Sequence, residues 1–307
     1  IKDGSPVALK DKCCHRGAPL SLGTCLENTI QCGYHGLQYD ANGQCVVVPG
    51  QTHIPPGASV KAYPLAERWN MVWIWMGDPS VADKTKIPNY FWLDDPKWVA
   101  ATGYIHMKGN YQLLIDNLLD FTHVTYLHKN TISADPAEAA IPVTVERDEN
   151  SVSVSRWIYG FEAPPLFAKA GGFKGKVDRW QTTKWQAPST LAFDVGCAKA
   201  GTGAPEGNRT HGISIWSTHL ITPETLTTSH YFWAYVRNFG LDDSKMTSLL
   251  HDGAKTTFEE DVKMIEAQQQ SLRGITLDGL IDINADNPPI QMRRIMDDLI
   301  AAETIGA

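Results

Sequence analysis

The chain of 307 residues lacks any run approaching the roughly 18 apolar residues that a membrane-spanning helix needs, and no signal-peptide-like apolar segment stands out. That excludes an integral-membrane class and leads us to expect a cytoplasmic protein with no membrane partner. Basic residues are also in short supply. Lys and Arg number 27 against 34 Asp and Glu, a formal net charge of −7. With no basic stripe there is no phosphate footprint, which argues against a nucleic-acid partner. The six cysteines, at 13, 14, 25, 32, 45 and 197, are too few for a chain of this length to be a small disulfide scaffold. In a reducing compartment, paired Cys and His more often mean metal. Internal repeats and low-complexity segments are missing as well.

Hydrophobic residues make up 43% of the chain, enough for a large core and two domains. Residues 1–77 are rich in Gly, Pro and short β-like runs, such as Cys45-Val46-Val47-Val48 and Met71-Val72-Trp73-Ile74, separated by turn clusters such as Asp40-Ala41-Asn42-Gly43. They read as a small all-β domain. Its opening at Ile1 looks like a strand met part-way, so further N-terminal strands are expected. After Gly77-Asp78-Pro79-Ser80 the character changes, and residues 78–307 read as a second domain. There an apolar helix over 109–127 carries no Lys or Arg. Strand pairs follow: Pro142–Arg147 with Ser151–Ile158, and His211–Thr222 with Leu226–Phe239 across Pro223-Glu224. A long helix runs from near Asp242 to Arg273 with Gly274 as its C′ residue, and a final helix covers Ile290–Glu303. Helices and antiparallel strands without βαβ alternation predict an α+β fold.

Cys13-Cys14-His15 and Cys32-Gly33-Tyr34-His35 form C-x-H and C-x-x-H pairs with sixteen residues between them. Two Cys and two His can close a tetrahedral zinc site or hold a Rieske [2Fe–2S] cluster, in which two His replace two Cys on one iron. Zinc fingers keep their cysteines together and their histidines together. Here each loop supplies one of each, which favours the cluster. Gly17, Gly33 and Gly36 permit tight loops whose amides approach the cluster sulfurs. Tyr34 is placed to donate a hydrogen bond to a sulfur or a ligand. Cys14 reads as a loop residue beside ligands Cys13, His15, Cys32 and His35, because four ligands already complete the site.

A second constellation lies on the 109–127 helix. Asn117, Asp120 and His123 are spaced three apart and project from one side. His123 and His128 are five apart, about 140° around an ideal helix. To share a metal, the helix must end or widen between them. Two His and one carboxylate form the non-haem Fe(II) pattern, and the long helix offers the carboxylate. Its apolar stripe runs Met246, Leu250, Ala254, Phe258, position 261, Ile265 and Leu272, so Asp261 points inward while Glu259 and Glu260 can reach water.

Together these residues resemble the Rieske non-haem iron oxygenases. The likeness rests on the two cluster loops, on Asp116-Asn117-Leu118-Leu119-Asp120-Phe121-Thr122-His123 followed by His128, and on Glu260-Asp261. Val177-Asp178-Arg179-Trp180-Gln181, Arg237-Asn238-Phe239 and Met292-Arg293-Arg294-Ile295 extend it over nearly the whole chain. Within the family, the chain resembles the oxygenase (alpha) subunits of the vanillate O-demethylase group, with its dicamba and toluenesulfonate relatives. One departure is Cys14, where the family typically has Pro.

The resemblance implies a Rieske domain and a helix-grip catalytic domain. It also implies a homotrimer in which Asp120 links His123 to His35 of a neighbouring subunit, with Asn117 near the iron. A flavin and iron–sulfur reductase would bring electrons from NAD(P)H, and O₂ would be activated at a mononuclear Fe(II) held by His123, His128 and Asp261. The expected activity is O-demethylation, or methyl hydroxylation, of an aromatic acid such as vanillate in aromatic hydrocarbon catabolism. Ring dioxygenation is the alternative within the family, and a Rieske electron-transfer protein without oxygenase activity the alternative outside it. His219 matches a position that contacts the substrate's acidic group, although a satisfied core histidine explains it equally well. The stretch Leu191–Cys197 would line the other wall, with Phe193 and Val195 facing in.

Overall fold

In the computed structural model, which describes residues 4–133, 135–272 and 280–305, the chain divides into two units, Ile1–Asn89 and Tyr90–Ala307. Residues 78–89 thus group with the first unit. There the Trp69 indole donates from Nε1 to the carbonyl of Pro88 at 2.8 Å.

The first unit is built from strands of two to four residues, as its dense turn signals require. β1 (Ala8–Leu9) pairs with β6 (Ala62–Tyr63), and β2 (Thr24–Cys25), β3 (Ile30–Gln31), β4 (Gln38–Tyr39) and β5 (Cys45–Val47) form an antiparallel sheet. β7 (Leu65–Arg68) and β8 (Met71–Ile74) make a hairpin whose two turn residues, Trp69 and Asn70, both have positive φ (60° and 56°). Its core is small: Cys13, Leu20, Cys32, Leu37, Tyr39, Cys45 and Val60.

The second unit is an antiparallel sheet of seven strands in the order β10-β11-β12-β13-β14-β15-β9. The strands are β9 (Val99–Met107), β10 (Thr144–Arg147), β11 (Ser151–Glu162), β12 (Lys176–Gln186), β13 (Thr190–Lys199), β14 (Gly212–Thr225) and β15 (Thr228–Arg237). Among the described residues five helices accompany it: α1 (Tyr111–Leu119), α2 (Val124–Leu127), α3 (Pro165–Gly171), α4 (Ser244–Ser271) and α5 (Asn287–Ile305). Alternate strand residues such as Val177, Val195, Ile215 and Tyr235 share one core with Leu114 and Leu118 of α1, Phe167 of α3, Phe258 of α4 and Met292 of α5. This is an α+β fold: a small all-β unit, then a large antiparallel sheet gripped by helices.

Several local expectations change. The apolar stretch 109–127 is two helices, because Asp120 adopts an extended conformation (φ −98°, ψ 119°) and stops α1. The hairpin turn lies at 226–227, and β14 continues through Pro223 to Thr225. Pro223 is tolerated because the pairing register shifts between it and Thr225. β9 carries few β-branched residues and was not anticipated. α4 ends at Ser271, with Leu272 as its C-cap residue, and Gly274 falls outside the described residues. α5 begins at Asn287, three residues before the expected Ile290. Pro288 and Pro289 sit in its first turn, where a missing N–H costs nothing.

Candidate metal centres and cavity

The two Cys–His loops are near copies of each other. In one, Cys13 N–H donates to Ala18 O at 2.8 Å and Gly17 N–H to Cys13 O at 3.0 Å. In the other, Cys32 N–H donates to Leu37 O at 2.8 Å and Gly36 N–H to Cys32 O at 3.0 Å. Both turns close on a glycine with positive φ, 73° at Gly17 and 75° at Gly36, where a side chain is disfavoured. Cys13 and Cys32 are buried. His15 and His35 are exposed, with ring centroids 4.6 Å apart. Thiolates inside and imidazoles at the rim suit a binuclear cluster with one iron facing out.

The four candidate ligands, Cys13, His15, Cys32 and His35, do not converge on a single ion. Among the described residues, the only His, Cys, Asp or Glu group whose donor atoms all lie within 4.8 Å of one another is elsewhere in the chain. Tyr39 adds a feature of its own. Its hydroxyl lies 3.1 Å from Cys13 Sγ and 3.2 Å from Cys14 Sγ. Burial opposes ionisation of Cys13, yet this hydroxyl, together with backbone and Cys32 contacts, holds its thiol below the ordinary cysteine value. Tyr34, by contrast, is 67% exposed and its ring lies against His35 at 3.9 Å.

The other group is His123, His128 and Asp261. The break at Asp120 precedes both histidines, which stand at the two ends of α2, His123 as its N-cap residue and His128 as its C-cap residue. Their rings stand 5.2 Å apart. Asp261 reaches them from the buried stripe of α4, beside Phe258, Val262 and Ile265. Its Oδ1 lies 2.9 Å from His128 Nε2 and 3.6 Å from His123 Nε2. Imidazole and carboxylate ligands bind at about 2.1 Å, so two at right angles are about 3 Å apart. These separations fit a facial set.

The donor chemistry fits as well. His128 Nδ1 faces Glu260 Oε2 at 2.7 Å while Nε2 faces Asp261, so both ring nitrogens meet carboxylates. Burial disfavours the imidazolium, but Asp261 and Glu260 outweigh it and raise the His128 pKa above the ordinary value. A cation between Nε2 and Asp261 would take the place of that proton. His123 is pushed the other way by burial, and its Nδ1 has no hydrogen-bond partner. Asn117 Nδ2 donates to Asp261 Oδ1 at 3.1 Å. The Asp120 carboxylate accepts from the Thr122 N–H and hydroxyl at 2.6 and 2.7 Å, and within this chain it makes no hydrogen bond to His123.

The triad forms one wall of a cavity. The opposite floor is the inward face of the sheet, where Phe193, Val195, Ser217 and His219 lie, and Phe121 and Phe258 close the sides. His219 is 1% exposed, and burial pushes its pKa down to about 3, so it is neutral. Both of its nitrogens are engaged, Nε2 with Ser217 Oγ at 2.8 Å and Nδ1 with Tyr231 OH at 2.6 Å. It is therefore a satisfied core histidine that also borders the cavity.

Two parts of this site were not anticipated from sequence. Glu260 is half-buried and faces His128 as well as water, since a residue one place before an inward position can still reach a partner on a neighbouring helix. Arg179 and Gln181 line the cavity from β12. Both faces of that strand are buried, so polar alternation gave no signal.

Comparisons with known proteins agree with this architecture. Residues 1–64 match the Rieske [2Fe-2S] domain family, and residues 107–302 match the vanillate O-demethylase oxygenase C-terminal domain family. The chain is 44% identical to a putative toluene-4-sulfonate monooxygenase system iron-sulfur subunit of Comamonas testosteroni, covering 99% of this chain and 89% of the relative. It is 36% identical to a vanillate O-demethylase oxygenase subunit of a Pseudomonas species, covering 97% and 91%. The crystal structure of dicamba monooxygenase with non-heme iron and dicamba superposes with a TM-score of 0.83 at 31% identity, covering 99% of this chain and 89% of that one.

Proposed function

Because the chain belongs to the Rieske non-haem iron oxygenases, in the group that shares the vanillate O-demethylase oxygenase C-terminal domain, we propose that it oxidises the methyl or methoxy carbon of an aromatic acid held beside His123, His128 and Asp261. The chain is the oxygenase component of a Rieske-type monooxygenase. Such components work in multicomponent systems with a reductase and an aromatic substrate. The observation that carries the reading is the convergence of two histidines and one carboxylate on the wall of an aromatic-lined cavity.

In this reading Cys13, His15, Cys32 and His35 hold the [2Fe–2S] cluster, and His123, His128 and Asp261 hold the mononuclear iron. When bound, the cluster supplies electrons singly and the iron supplies a site for O₂ reduction. The protein's own contribution is positional. Glu260 fixes the ring orientation of His128, and Asn117 steadies the Asp261 oxygen. Phe193, Val195 and Phe258 enclose the aromatic ring and exclude water. Hydroxylation of a methoxy carbon gives a hemiacetal that collapses to a phenol and formaldehyde, whereas a ring methyl gives a benzylic alcohol. The position of the substrate in the cavity decides between them.

Electrons reach the cluster from NAD(P)H through a flavin and iron–sulfur reductase, and the exposed rims at His15 and His35 suit such exchange. In a homotrimer, Asp120 would connect one subunit's iron site with the neighbour's His35. All six cysteines are free, in keeping with a cytoplasmic setting, and no described helix is long and apolar enough to cross a membrane.

Incubation of the reconstituted system with vanillate or 4-toluenesulfonate, followed by product analysis, tests the reaction. Formaldehyde from the first or the benzylic alcohol from the second supports it. A cis-diol would shift the reading to ring dioxygenation, and electron uptake without any oxygenated product would sink it.

A further inference from the structure

One group in the cavity wall has no part in the metal sites. Arg179, on β12, is 2% exposed and lines the cavity together with Gln181. Its Nη1 donates to Glu138 Oε2 at 3.2 Å, while its Nε has no acceptor. Arg156, also buried, lies close enough for the two cations to oppose each other. Arg156 is well supplied with acceptors: Gln181 Oε1 at 2.6 Å, Glu138 O at 2.8 Å and Phe121 O at 3.3 Å. Two buried guanidiniums thus meet at Glu138, Arg179 at its carboxylate and Arg156 at its main-chain carbonyl. Asp120 also acts on Arg156, but it is half-buried and already engaged by Thr122. A buried guanidinium short of acceptors is costly unless an anion completes it.

Its place in the sheet gives that anion a direction. Arg179 is opposite Cys197, which is opposite Ile213, whereas His219 is opposite Leu191. Ile213 and His219 are six residues apart on β14, about 20 Å of strand. The Asp261 carboxylate acts on His219 and Tyr231, while Glu138 is the carboxylate that acts on Arg179. The cavity therefore has a metal end near His219 and a cationic end at Arg179.

Building on the aromatic-acid reading, we infer that Arg179, seconded by Gln181, is the specificity-determining residue that binds the substrate's carboxylate or sulfonate. A planar fork of N–H donors suits either oxyanion. Neutral His219, with both nitrogens taken, has no charge to offer it.

The test is calorimetric binding to the anaerobic, metal-loaded protein, comparing 4-toluenesulfonate with its uncharged isostere 4-toluenesulfonamide. The wild type should prefer the anion by roughly tenfold or more. Arg179→Gln alone takes the ion-pair partner from Glu138, so the double variant Arg179→Gln/Glu138→Gln removes both charges together. It should bring the preference close to one while leaving the affinity for the amide within a few-fold. Glu138→Gln alone keeps Arg179 and removes its counter-ion, so it should tighten anion binding several-fold, a change opposite in sign to general damage. A folded double variant that keeps the preference overturns the assignment. So does a His219→Asn variant that loses the preference. If the wild type binds the two probes equally, only this assignment falls. If it binds neither, the aromatic-acid reading falls with it.

Discussion

The two metal-site regions solve the same problem on different scales. In the first unit, all four candidate cluster ligands lie between residues 13 and 35, on two loops with the same hydrogen-bond pattern, and Cys13 and Cys32 share a small core with five other buried residues. In the second, the three clustered side chains come from positions 123, 128 and 261 and meet only because a seven-stranded sheet and its helices pack into one core. Local chain geometry shapes the first site, and tertiary packing shapes the second. Damage to one region should therefore leave the other readable.

The largest effect should follow from Asp261→Ala. Loss of the carboxylate shared by both histidines should abolish iron retention and turnover, while the visible spectrum of the cluster stays intact. Metal analysis and product formation on the same preparation check it. Full activity with iron bound would remove Asp261 from the ligand set and break the contrast. Glu260→Gln should come next. It keeps the shape beside His128 Nδ1 but weakens the charge-assisted bond that orients the ring, for an expected loss of about 10–100-fold in iron affinity or activity. Iron titration of the stripped protein, alongside kcat, reads this out.

The same contrast explains what the sequence made legible. C-x-H and C-x-x-H are local patterns, so spacing alone separated a cluster from a zinc finger. Asp261 was readable because one helix keeps its period over 28 residues, and an acid in an apolar stripe stands out. The break at Asp120 was invisible: Asp116–Phe121 carries the apolar rhythm of a continuing helix, and the extended conformation of residue 120 depends on its surroundings. Glu260 and Arg179 were missed for a related reason. Each takes its meaning from a partner far along the chain, Glu260 from His128 and Arg179 from Glu138. The register of β12 to β15 that forms the cavity floor is likewise a tertiary result. Pro223, an apparent turn signal, lost to that register.

Smaller effects should be confined to the first unit. Tyr39→Phe removes the hydroxyl 3.1 Å from Cys13 Sγ. Hydrogen bonds to cluster sulfurs stabilise the reduced, more negative state, so the midpoint potential should fall. A roughly tenfold change in the reduction equilibrium corresponds to about 59 mV for one electron. Redox titration followed by visible absorption measures it, and iron at the second site should be unchanged.

Cys14→Ala should shift the potential least, and its sign is informative. A thiolate ligand at Cys13 can only accept, so the single Tyr39 hydroxyl proton points to Cys13, which leaves the Cys14 thiol to donate to the Tyr39 oxygen 3.2 Å away. A donor to that oxygen polarises the O–H bond and strengthens its bond to Cys13. Removing Cys14 should then lower the potential by a fraction of the Tyr39→Phe shift, and should have no effect once Tyr39 is Phe. If Cys14 instead competes for the hydroxyl proton, Cys14→Ala raises the potential. The double variant separates these cases, because only the relay makes both single shifts negative and non-additive.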